Sequence, residues 1–139
     1  MTMTILICIP CLMTGGTEIQ TLNLVRALVA GGHQVVTTCY FEYSDDMVVR
    51  FQKVGSEVVC LSSAGTRVNG WLGILFLYKG LRRVLKLHKP DVAHVQYMAP
   101  GAIPILLLRW LGVRQIITTA HTAADIYPNL RLGNFFFFL

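Results

Sequence analysis

The stretch Thr4-Ile5-Leu6-Ile7-Cys8-Ile9-Pro10 runs within a few residues into Gly15-Gly16-Thr17-Glu18, and from there directly into a segment with helical periodicity. So short an apolar run, rich in β-branched isoleucine, reads as a buried strand. The glycine pair then opens a helix. Backbone N–H groups at a helix start lack intrahelical partners and point out of its end, where the helix dipole favours an anion such as a phosphate. Glycine also removes the side chain that would hold a ligand away from the backbone. The junction predicts a site for a phosphorylated or polyhydroxyl ligand.

Outward from this unit the same alternation repeats. Strands are expected near 4–9, 34–40, 57–61, 91–95 and 115–119, with helices near 18–30, 45–54, 71–88 and 101–111. Right-handed crossovers between such strands place helices on both faces of a parallel sheet. The expected fold is α/β, a Rossmann-like doubly wound parallel sheet of about five strands in the order 3-2-1-4-5, filling residues 1–139 as one domain. In the first helix Ile19, Leu22, Val25 and Val29 form the apolar stripe, and Gly31-Gly32 stops it. The second helix barely separates into faces. In the third, Leu77, Leu81, Val84, Leu85 and His88 can face the sheet, while Lys79, Arg82, Arg83 and Lys86 recur on another side. Pro90 closes that element, because the residue before proline avoids the α region.

Composition narrows the class. Apolar residues make up 54% of the 139, enough for a real core, while only 14% are charged. That is well under the roughly 25% of an ordinary soluble domain, so some apolar surface is expected to face a partner, another domain or a membrane. The net charge of +5 fits anionic lipid or phosphate ligands; no nucleic-acid partner is expected. No run reaches the roughly 18 apolar residues of a membrane-spanning helix, and the start of the chain lacks a basic signal-peptide region, so the expected location is cytoplasmic. The basic stripe beside the apolar 71–78 segment adds a possible peripheral contact with an anionic cytoplasmic membrane. The aromatic run Phe135 to Phe138 reads as a chain cut short rather than as a membrane-touching end.

In an open parallel sheet, ligands gather beyond the carboxyl ends of the strands, where strand order reverses. Here that crevice lies between the first and fourth strands, and the loops 11–17, 96–101 and 120–125 converge on it. Gly15, Gly16, Glu18, Tyr97 and His121 become neighbours there. Glu18 in the first helical turn either complements the dipole or holds a ligand hydroxyl. His121, at the end of an apolar strand, stands at the crevice mouth. His94, alternating with Val92 and Val95, reads instead as a hydrogen-bonded residue of the strand, and His33 as a turn residue.

Other chemistries fit less well. Cys8-Ile9-Pro10-Cys11 has redox spacing, but its first cysteine lies inside the strand instead of at a helix start. Cys8, Cys39 and Cys60 read as small core residues. A dinucleotide site would need G-x-G-x-x-G, although Glu42 and Asp45 stand where a ribose-binding acid could sit. No Walker pattern, serine-histidine-aspartate elbow or metal-ligand spacing is visible, and no metal is expected. A non-catalytic module that binds an anionic ligand is the alternative from another class.

Six features occur in the order of a known family: Ile5-Leu6-Ile7, Gly15-Gly16-Thr17-Glu18, the helix with Leu22-Asn23-Leu24 and Leu28, Gly32-His33-Gln34-Val35, Pro90-Asp91-Val92-Ala93-His94 and Thr118-Thr119-Ala120-His121. Over nearly its whole length the chain resembles the N-terminal domain of a family 4 glycosyltransferase with the GT-B fold. The resemblance implies two Rossmann-like domains facing across a cleft, with sugar transferred from a nucleotide-sugar donor to an acceptor with retention of configuration and without a metal cofactor. It implies that this half mainly binds the acceptor (a glycan, lipid or small metabolite). Gly15 and Gly16 would then lie against the donor diphosphate or transferred sugar, and His121, as the catalytic residue, would contact that sugar. The family's donor-side Glu-x7-Glu motif is not found in these 139 residues. A missing C-terminal domain or a partner chain is therefore expected to complete the site, with little activity from this chain alone. The family often has Asp where this chain has Thr122, and a second histidine where it has Gln96.

Overall fold

The computed structural model describes residues 1–98 and 101–121. Its elements run β1 (Thr4–Ile9), α1 (Gly16–Ala30), β2 (Gln34–Cys39), α2 (Asp45–Lys53), β3 (Glu57–Cys60), α3 (Gly70–His88), β4 (Val92–Tyr97), α4 (Ile103–Trp110) and β5 (Gln115–Ala120). All strands pair in parallel, in the order β3-β2-β1-β4-β5, so the doubly wound sheet is the one the alternation predicts. Phe135 to Phe138, Thr122 and the 122–125 part of the expected loop lie outside the described residues, as do 99 and 100.

The pleat divides the core in two. On one face Ile5, Ile7 and Ile9 of β1 pack with Val35, Cys39, Leu22 and Val25 of α1, and Met47 and Phe51 of α2. On the other, Leu6 and Cys8 meet Leu77, Leu81 and Val84 of α3 and Leu107 and Leu108 of α4. Alternate residues of one strand therefore serve opposite helix layers, which is why β1 is apolar from Ile5 to Ile9.

The helix α2, whose faces are hard to separate by eye, is well specified at both ends. Ser44 caps it by accepting from Met47 N at 3.3 Å, Asp45 and Asp46 occupy the first turn, and Arg50 and Lys53 the last. Each charge opposes the dipole end beside it. Met47 and Phe51, one turn apart, then supply the buried anchor. At the end of α3, Lys89 leaves the right-handed region before Pro90 by adopting a left-handed conformation, φ 46°. That conformation ends the helix.

Three expectations change. The buried stripe of α1 is Glu18, Thr21, Leu22 and Val25, while Ile19 is exposed. The glycine turn rotates the helix so that its first buried position is a carboxylate. The strand β4 continues through Tyr97, placing Gln96 and Tyr97 in the ladder opposite Thr119 and Ala120 instead of in a loop. Cys60 is only partly buried, unlike Cys8 and Cys39, because β3 is an edge strand of the sheet.

Candidate functional site

The loop after β1 is pinned before it reaches the glycines. Leu12 donates its N–H to Glu42 O and accepts from Ser44 N, both at 2.9 Å, tying it to the loop after β2. Gly15 then caps α1 in an extended conformation that any residue could adopt, and the side-chain cap that serine supplies elsewhere is absent. The N–H groups of the first turn are left facing the carboxyl edge of the sheet.

The two glycines differ in what surrounds them. A Cβ on Gly15 would lie 2.5 Å from Glu18 Oε2, so that carboxylate folds back over the turn; a Cβ on Gly16 would meet nothing within 4 Å. Glu18 is only 6% exposed, and its Oε1 accepts from Cys11 Sγ at 3.3 Å. Burial first, then the Glu18 hydrogen bond and charge, push the Cys11 thiol up to about 11, and burial pushes Cys8 up to about 12. Both stay protonated at neutral pH, so the C-x-x-C pair is not a reactive one.

The second cluster lies on the α1 side of β4 and β5, where alternate residues bring His94 and Gln96 beside Thr119 and His121. His121 Nε2 pairs with Gln96 Oε1 at 2.5 Å, and His94 Nε2 with Thr119 Oγ1 at 2.7 Å. Gln96 is almost fully buried, so its amide holds the imidazole of His121 at the sheet edge. Desolvation, then the neighbouring His121, holds the His94 pKa below its usual value. Gln96 was not among the expected site residues. The signals for it were its two-residue spacing from His94 and its standing where the resembled family often has a second histidine; its place opposite Thr119 is seen only in the fold.

The expected residues thus fall into two groups on one sheet edge. Gly15, Gly16 and Glu18 gather with Cys11 at the end of β1, while His121 joins Gln96 at the ends of β5 and β4. Tyr97 is the last residue of β4, level with Ala120, and an added Cβ on Gly101 would lie 3.9 Å from its Oη. The groups are linked through the adjacent strands β1 and β4; among the described residues no hydrogen bond joins Glu18 to His121. Glu42, a candidate ribose-binding acid, is forked to Arg67 at 3.1 and 3.2 Å, and that bond lowers its pKa. His33 accepts from Met3 N at 3.2 Å, as a turn residue would. Among the described residues no three His, Cys, Asp or Glu side chains could hold a metal ion.

A parallel sheet with a glycine-opened helix at its switch point defines a Rossmann-like domain of the kind that forms half of a GT-B glycosyltransferase. The chain belongs to the glycosyl transferase 4-like domain family, whose model matches residues 15–137. No curated protein matches it in sequence. Among solved structures it is similar to a glycosyltransferase from Rickettsia africae ESF-5, with TM-score 0.66 and 20% identity over 93% of this chain and 34% of that one. The glycotransferase of kitacinnamycin gives TM-score 0.62 and 16% identity over 97% of this chain and 38% of the other. CalG4, the calicheamicin glycosyltransferase, gives TM-score 0.58 and 16% identity over 94% and 36%. At such identities the likeness is one of fold. The chain spans little more than a third of the length of each.

Proposed function

We propose that this chain forms the acceptor-side wall of a sugar-transfer cleft, in a retaining, metal-independent glycosyltransferase that takes a nucleotide-sugar donor. The observation that carries the reading is the empty space over Gly16 at an uncapped helix start, in a chain of the glycosyl transferase 4-like family. Negative charge grows on the leaving diphosphate as the sugar departs. The N–H groups of α1 are preorganised donors for that charge and need no reorientation during the reaction. With Nε2–H donated to Gln96, His121 offers Nδ1 as an acceptor for a sugar hydroxyl, and Tyr97, on the other face of β4, would meet the ligand only from the strand end. Glu18 is placed to accept a hydroxyl of the ligand once its bond to Cys11 is exchanged.

The facing, donor-side half comes from outside these 139 residues, as a further domain or a partner chain. The reaction belongs to the cytoplasmic side and involves no nucleic acid. The test is titration of the isotope-labelled chain with nucleotide sugars and candidate acceptors. Shifts centred on Gly15, Gly16, Glu18 and His121, abolished by Gly16→Trp, are the expected result. Shifts confined to the opposite sheet edge, or unchanged in Gly16→Trp, would sink the assignment.

A further inference from the structure

The outer surface of α3 joins exposed apolar residues to a row of cations. Successive turns direct Trp71, Leu72 and Leu75 outward over the first half of the helix and Lys79, Arg82, Arg83 and Lys86 over the second, opposite the buried Gly73, Leu77, Leu81 and Val84. Trp71 is 77% exposed and Leu72 68%. Further along α3, beside Tyr78, Trp110 of α4 is 82% exposed, its ring 6.3 Å from that of Tyr78. A groove of about 230 Å³, lined by Arg82, Leu85, Lys86 and Leu111, opens next to the cations. The helix contains no acidic residue, and among the described residues none of the four cations has a carboxylate partner.

We infer that this face docks on an anionic lipid bilayer, with Trp71, Leu72, Leu75 and Trp110 entering the headgroup boundary and the four cations on the lipid charge. Tryptophan and leucine left in water cost free energy that the boundary region recovers. Unpaired Lys and Arg are drawn to a negative leaflet. A second copy of the chain is a poor occupant, because α3 has no acidic residue and a two-fold contact on it would cover the four cations without a carboxylate to pair them. A protein partner would need an acidic surface matched to this row of cations, whereas any anionic leaflet supplies that charge. No described helix is long and apolar enough to cross a membrane, so α3 lies on the surface instead of spanning it.

The chain's two tryptophans are Trp71 and Trp110, so its intrinsic tryptophan emission reports on this face alone. The experiment adds vesicles of mixed phosphatidylcholine and phosphatidylglycerol, or of phosphatidylcholine alone, to the full chain at low and high salt. Expected are a blue shift and quenching by brominated lipid with the anionic vesicles only, both reversed by salt. Arg82→Gln with Arg83→Gln should weaken partitioning about 25-fold, roughly five-fold per charge. No shift, equal binding to neutral vesicles, or an undiminished double variant would overturn the inference. So would tighter binding of RNA than of lipid, or the same shift on concentrating the protein alone. Circular dichroism checks that the variant is folded; if it is not, bromolipid quenching of the unaltered chain decides.

Discussion

An added Cβ on Gly16 meets no atom within 4 Å, whereas on Gly15 it would stand 2.5 Å from the Glu18 carboxylate. Gly16 is in helix, where alanine restricts the unfolded chain more than glycine does, so Gly16→Ala should raise stability by about 0.5 kcal/mol. If the space over Gly16 belongs to a ligand, the same methyl should weaken ligand binding. A denaturant melt and a ligand titration on this one variant separate the two effects, and loss of both would mean that the turn serves only the fold. His94 supplies a second test. Burial, then the His121 charge, lowers its folded pKa below the usual 6.5. As pH falls below 6.5 the unfolded chain takes up the proton first, so stability is lost from there down to the folded pKa. Melts at about pH 7 and about pH 5 should show that decline, and His94→Gln should reduce it.

Within α3, helix propensity and packing oppose each other at Gly73. Alanine is favoured over glycine in a helix by about 1 kcal/mol. Yet a Cβ at Gly73 would lie 2.3 Å from the Val68 carbonyl oxygen, and a backbone carbonyl cannot swing aside as a side chain does. Overpacking costs about 1–3 kcal/mol, so Gly73→Ala should be a net loss, read as a lower midpoint in chemical denaturation. The five strands and their order were legible because each strand is a short apolar run between helical segments. What could not be read locally was set by partners distant in sequence. Gln96 and Tyr97 belong to β4 because β5 pairs with them. Ile19 is exposed because the turn at Gly15 sets the rotation of α1, giving Glu18 the buried position. Met47 and Phe51 become an anchor only once Ser44 fixes where α2 begins. At the site, Gly16 and His121 were visible as residues following strands, but the Gln96 amide that holds His121 was not, since its bond spans 25 positions.

The groups proposed to meet a ligand lie along one edge of the sheet, with the glycine turn after β1 and His121 beyond β5. A ligand resting there is contacted from one side. Two unit charges 4 Å apart interact by about 1 kcal/mol in water, but by about 4 kcal/mol at the lower effective dielectric near a protein surface. In the proposed transfer, the N–H groups of α1 would therefore contribute most to a departing diphosphate once a second wall excludes water. The chain spans little more than a third of the length of its structural neighbours. If the proposed transfer is right, the 139-residue chain should bind its ligand weakly and release nucleoside diphosphate from a nucleotide sugar no faster than background. Joining it to the donor-side half of a family member should bring turnover, lost again in Gly16→Trp. Measuring nucleoside diphosphate release with and without that half decides the matter. Turnover by the chain alone would mean that one wall suffices and that the second-wall argument fails.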